Sequence, residues 1–166
     1  MTLNAKVQMP LNITHSKELD LTEVKQALTN TLGVSFTDGA LADQAEVLYH
    51  DKRALGDAAN ETIDLQDGSL SDAFGDAITI EKLKFLYIKN LSTTANLLVG
   101  AAAGNQLALF ADPASDKLSL PPLGEFIFIA PDLTGLDTSA NADLKLEHDG
   151  TGDSAPGYKI IAIGVD

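Results

Sequence analysis

Three histidines, 24 acidic side chains and one adjacent lysine–arginine pair are the residues of this chain best suited to chemistry. His15, His50 and His148 each stand beside polar neighbours, and no two have the spacing that lets one element grip a metal ion. His50-Asp51 falls on a predicted strand, where adjacent side chains leave opposite faces, so the two cannot form a dyad. A serine triad would need a positioned nucleophile, and no Gly-x-Ser-x-Gly elbow occurs. All three histidines read as satisfied surface groups.

The carboxylates form two suggestive runs. Asp67-Gly68-Ser69-Leu70-Ser71-Asp72 and Asp149-Gly150-Thr151-Gly152-Asp153 are like fragments of calcium loops. A hard cation needs six to eight oxygens, and neither run has the twelve-residue pattern ending in glutamate. Asp-Gly is equally a turn pair, since aspartate bonds its own backbone and glycine accepts positive φ. Nothing singles out a glycosidase pair among the 24 acids. Gly100 to Gly104 encloses three alanines but lacks the lysine of a phosphate loop, and is expected to be a loop of close backbone approach. Lys52 and Arg53, the latter the single arginine, make a basic spot in an acidic chain. A salt bridge explains it most simply; docking onto an acidic partner is the alternative. No catalytic residue, cofactor or metal is expected.

The elements that would position such groups are constrained by composition. A chain of 166 residues and 17.5 kDa suits one domain able to bury a core without staples. It has no cysteine, which removes disulfides, thiolate metal sites and cysteine nucleophiles. A net charge of −13 and a pI near 4.4 leave no electrostatic footprint for nucleic acid or anionic membrane. The first residues lack the pattern of a signal peptide, and no window reaches the ~18 apolar residues of a membrane span. Sequons at Asn12, Asn60 and Asn90 are read as chance. The absence of tryptophan removes the commonest sugar-stacking platform.

Short apolar runs recur through the chain: Glu46 to Arg53, Glu61 to Leu65, Ala77 to Ile80, Leu83 to Leu91, Asn96 to Gly100, Gln106 to Ala111, Lys117 to Leu120, Glu125 to Ala130, Asp143 to Glu147 and Tyr158 to Val165. Gly, Pro, Asn and Asp separate them, and no helical pattern intervenes. This predicts an all-β, antiparallel two-sheet sandwich, jelly-roll-like, with at most one or two short helices. Polar loops are expected at Asp38 to Gln44, Gly135 to Asn141 and Asp149 to Gly157. Phe85, Tyr87, Phe126, Phe128, Ile161 and Ile163 are expected to face a common core. Thr22 to Leu32 fits two readings. Val24, Ala27, Leu28, Thr31 and Leu32 share a helical face with Gly33 as the stop, yet Val24, Gln26, Leu28, Asn30 and Leu32 alternate as a strand.

Residues 1–40 read as an N-terminal arm or additional strands, and 41–166 as the sandwich, in one compact unit. In the arm, Val7, Met9, Leu11 and Ile13 fall on one strand face, with Asn4, Gln8 and Asn12 opposite. Pro10 suits an edge. Such an arm either adds to a neighbouring subunit's sheet or pairs with an edge of its own sandwich.

One order of features is familiar. Ala42-Asp43-Gln44-Ala45, His50 through Leu55, Glu61 through Leu65, Gly68 through Gly75, Tyr87 through Asn90, Val99-Gly100, Pro121-Pro122, Ala130-Pro131-Asp132 and Tyr158 through Gly164 follow one another. Over Ala42 to Gly164 this resembles small β-rich virion proteins of tailed bacteriophages. The resemblance implies a non-enzymatic structural protein of the virion, synthesised in the host cytoplasm. On this expectation it is a capsid cement or decoration protein that stabilises the lattice from its outer surface. Its partners would be the major capsid protein and further copies of itself, as a dimer or trimer, with no nucleic acid or membrane. The residues expected to bind are Val7, Met9, Leu11, Ile13, Lys52 and Arg53. A tail, baseplate or head-fibre protein and a carbohydrate-binding β-sandwich are the alternatives.

Overall fold

Alternation at period two makes this chain strand-rich, because a pleated backbone sends successive side chains to opposite faces. The computed structural model describes residues 2–20, 22–150 and 157–166, and among these are fourteen strands and no helix. In order they are β1 (Ala5–Leu19), β2 (Thr22–Asp38), β3 (Gln44–Ala45), β4 (Val47–Ala54), β5 (Asn60–Asp64), β6 (Leu70–Ser71) and β7 (Ala77–Ile78). Then follow β8 (Lys82–Asn90), β9 (Leu97–Gly100), β10 (Lys117–Leu120), β11 (Glu125–Ile129), β12 (Leu136–Asp137), β13 (Asp143–His148) and β14 (Gly157–Val165).

From β4 onward the pairing is nested. β9 pairs with β10, β8 with β11, β5 with β13 and β4 with β14, all antiparallel. The chain is thus one long hairpin folded on itself. Rolling it up lays β8 beside β14 and β9 beside β13. A four-stranded sheet, β10-β9-β13-β5, and a five-stranded one, β11-β8-β14-β4 with β12 also paired to β8, result. This is the jelly-roll connection, in which two packed sheets bury their facing sides.

The main core lies between the sheets. Leu86, Ile88, Tyr158, Ile160 and Ala162 of one sheet meet Ile63, Leu97, Val99, Leu144 and Leu146 of the other. Each large apolar side chain so buried contributes roughly 1.5–3 kcal/mol. Asn90 is buried beside this core, and its Nδ2 donates to the carbonyls of Ala95, Leu120 and Pro121 at 2.8, 3.1 and 3.0 Å. Its sequon is therefore closed to modification.

Register corrects the expected single core. Phe126 opposes Ile88 and Phe128 opposes Leu86, so both phenylalanines look inward, half-buried against the main core. Phe85, Tyr87, Ile161 and Ile163 have the other parity and face outward. There they join a second cluster with Phe36, Ala45 and the half-buried Leu3, Ala5, Val7 and Val34. Both faces of β8 are apolar because both are covered, one by the second sheet and one by the root of the N-terminal region.

Three local expectations also change. Thr22 to Leu32 is strand, as part of β2, and Gly33 lies within that strand rather than ending a helix. A Cβ on Gly33 would sit 2.4 Å from the Val7 carbonyl oxygen, so glycine permits the close approach of β1. Gln106 to Ala111 is not a strand; only Gln106 forms a bridge, to Asp143, and the rest finds no ladder partner. The loop at Gly135 to Asn141 contains β12, which pairs with β8 through Leu136 and Asp137.

Candidate attachment surface

The feature that a core-building argument does not account for is the N-terminal hairpin. β1 and β2 pair antiparallel along their full length, from Ala5 opposite Phe36 to Leu19 opposite Thr22. At ~3.3 Å per residue such a ribbon is about 50 Å long. Only its root is held. Phe36 is buried on the outer face of β8 and β14, with Leu3, Ala5, Val7 and Val34 packed around it. Beyond Val7 and before Val34 every described side chain is exposed. The arm thus pairs with its own second strand, neither with the sandwich edge nor as a lone strand.

Directly opposed residues of an antiparallel pair share a face. Val7, Met9, Leu11 and Ile13 therefore stand with Val34, Leu32, Asn30 and Leu28. Toward the tip the same face carries His15 with Gln26 and then Lys17 with Val24. This is the face whose root is buried, so one apolar stripe begins against the sandwich and runs out uncovered. Met9, Leu11 and Ile13 are 41%, 39% and 47% exposed, and Leu28 and Leu32 about half. The opposite face carries Lys6, Gln8, Asn12, Thr14 and Ser16 beside Ser35, Thr31, Thr29 and Lys25. Lys6, Lys17 and Lys25 balance Glu18, Asp20 and Glu23, so residues 5–37 are neutral and the charge of −13 lies entirely outside them. A two-stranded ribbon with one apolar face gains independent stability only when that face is covered.

The basic pair divides between the two faces of β4. Arg53 points inward with Tyr49 and Asp51, at the open end of the main core. Its Nη1 donates to Glu61 Oε2 at 2.8 Å and its Nε to Asp51 Oδ2 at 3.0 Å. Tyr158 Oη donates to the other Glu61 oxygen at 2.7 Å, and Tyr49 Oη to Asp51 at 3.2 Å. Burial opposes the guanidinium charge, but the bond to Glu61 and the surrounding tyrosines raise the Arg53 pKa overall. Burial pushes the Tyr158 hydroxyl up, and its bond to Glu61 adds to this. Burial would raise Asp51, yet hydrogen bonds from Lys52, Arg53 and Tyr49 hold it below the usual range. Arg53 is a tie between the sheets, as the salt-bridge reading expected.

Lys52 faces out. It opposes Lys159 on β14, which in turn opposes Lys89 on β8, forming a cationic row across three strands. At its end Lys89 Nζ meets Glu125 Oε1 at 2.6 Å, a bond that raises the lysine and lowers the acid. Sequence reading missed Lys89 and Lys159 because only pairing brings them beside Lys52. It missed Val24, Leu28 and Leu32 because their spacing also suited a helix.

The remaining candidates take their places. His15 and His50 are exposed. His148 is not: it is 2% exposed, with Nδ1 3.9 Å from the Asp57 carboxylate, because β13 turns it inward beneath Gly150 and Ala95. Asp67 caps a turn by accepting from the Ser69 N–H at 2.8 Å, and Asp72 accepts from Phe74 and Asp76 at 2.8 and 3.0 Å. These acids serve turns. In the second acidic run, Thr151 to Asp153 lie outside the described residues. Among the described residues no three His, Asp or Glu side chains gather as a metal site. At Gly100, the last residue of β9, a Cβ would meet the Asp116 carbonyl at 2.6 Å, whereas a Cβ at Gly104 would meet open space, so the expected close approach holds only at the first glycine. A cleft of about 320 Å³ lies beside the hairpin root, lined by Leu3, Val47, Leu48, Ile78 and Phe74, the last 76% exposed. Comparisons with protein-family models, curated proteins and solved structures return no match.

Proposed function

We propose that this chain is a non-enzymatic structural protein of a tailed-phage virion, a cement or decoration protein on the outer capsid lattice. The observation that carries the reading is the hairpin: a ribbon about 50 Å long with an exposed apolar face has its use in contact between protein subunits. The outward lysine row Lys52–Lys159–Lys89 supports it, since a cationic band in so acidic a chain offers an acidic capsid surface a complementary charge. The resemblance of Ala42 to Gly164 to small phage virion proteins supplies the setting. Affinity in such a role comes from many weak copies on a repeating lattice.

The test is co-sedimentation of the full chain with expanded capsids from the phage genome that encodes it. Hundreds of copies per particle support a cement protein. A few dozen copies place it at the tail or baseplate, and absence from particles overturns the reading. Lys52→Glu with Lys159→Glu should reduce capsid occupancy and weaken its dependence on salt.

A further inference from the structure

We infer that the apolar face of the hairpin is a self-association surface, covered by the same face of a second copy of this chain. The argument starts from charge. Two copies carrying −13 each repel one another overall, whereas residues 5–37 have a net charge of zero. The hairpin, which two copies can bring together without that cost, also has the uncovered apolar stripe. A partner recruited by charge would instead be met by a charged arm.

Area permits a weak contact. Twelve residues of each strand, 8–19 and 22–33, stand free of the root. They span about 40 Å, so two such faces packed together cover about 800 Å², the size of a transient interface that many copies on a lattice reinforce. Chemistry supplies register. At the middle of the stripe stands one polar pair member, Asn30, opposite Leu11 and flanked by Met9 with Leu32 and Ile13 with Leu28. An isologous interface sets residues near its axis against their own copies. An asparagine amide is both donor and acceptor, so Asn30 satisfies itself across a two-fold axis through that pair. One buried amide among apolar contacts then selects alignment at some cost in affinity, as single asparagines do in coiled coils.

The inference deepens the structural-protein reading by naming the hairpin's partner, and it rests on that reading only for its setting. It is tested on isolated full-length protein by sedimentation velocity and light scattering. The wild type should have the mass of two chains, and added salt should strengthen association by screening the bodies. Leu28→Lys on the apolar face should give a monomer with unchanged far-ultraviolet circular dichroism, whereas Thr29→Lys on the polar face should leave the mass unchanged. Because the chain has no cysteine, Asn30→Cys should oxidise to a disulfide-linked dimer while Thr29→Cys does not. A wild type that stays monomeric at all loadings and salts, a Leu28→Lys variant that keeps the wild-type mass, or equal cross-linking at both positions overturns the inference. A monomer that still decorates capsids removes this inference alone. A self-associating protein that ignores capsids removes the capsid reading alone.

Discussion

In the sandwich, β13 buries Leu144 and Leu146 almost completely; in the hairpin, β1 carries Met9, Leu11 and Ile13 at the same alternate spacing and leaves each roughly two-fifths exposed or more. The two regions share a strand pattern and differ in what lies opposite the apolar side. β13 faces a second sheet supplied by the same chain, whereas the outer part of β1 faces solvent. A period-two pattern therefore says that a strand has an apolar face, and says nothing about which molecule covers it. The hairpin root shows the boundary between the cases: Phe36 lies on β2 yet is as buried as the sandwich core.

The contrast can be broken most forcefully at that root. Phe36→Ala should cost about 3–5 kcal/mol and release the hairpin from β8 and β14, seen as loss of hydrogen-exchange protection in β1. If stability stays within experimental error of wild type, the root is not part of the core. Leu144→Ala should cost about 2–5 kcal/mol in chemical denaturation, the ordinary consequence of a cavity between the sheets.

Acid should act on the sandwich next. Asp51, Asp67, Glu125, Asp132, Asp137 and Glu147 all have folded values below their ordinary ones, chiefly through hydrogen bonds and neighbouring lysines. A depressed carboxylate contributes stability that is whole above the ordinary values of 3.8 and 4.5 and is lost as pH falls through the folded value. Asp143 opposes this, since burial and then Asp64 and Asp67 raise it. Relief of the −13 self-repulsion also opposes it on the way down to the pI. Tm should hold or rise from neutral pH to about the pI of 4.4 and fall below it. A Tm that falls steadily from pH 7 would contradict the balance.

Tyr158→Phe, which removes the hydroxyl bonded to Glu61, should cost about 1 kcal/mol. The smallest effect is expected at Leu11→Ala on the free ribbon, under about 0.5 kcal/mol in the thermal stability of the sandwich. A larger loss in dilute protein would mean that the stripe is already covered within one chain.

The strands of the sandwich were legible because their apolar residues alternate between turn residues, as in Asp143–His148 and Glu125–Ile129. What could not be read was which of two apolar faces looks inward. Ile127 and Phe126 are both apolar and alternate to opposite sides, and only the pairing of Phe126 with Ile88 shows that Phe126 is the inward one. Gln106 to Ala111 had a strand's composition but no ladder partner. The candidate binding residues Val7, Met9, Leu11 and Ile13 were legible as a face, whereas Leu28 and Leu32 were not, since their spacing satisfies both periods.

By itself, then, the sequence determined the all-β class, the absence of thiol chemistry and the acidic balance. Each of these follows from local alternation, backbone preference or counting. Tertiary structure alone decided the nesting of the roll, the outward parity of Phe85 and Tyr87, and the alignment of Lys52 with Lys159 and Lys89. It also decided that Thr22 to Leu32 is strand, because hydrogen bonding to β1 satisfies that backbone in a way no single segment can specify. Pairing joins residues far apart in the chain, and their register depends on every strand between them.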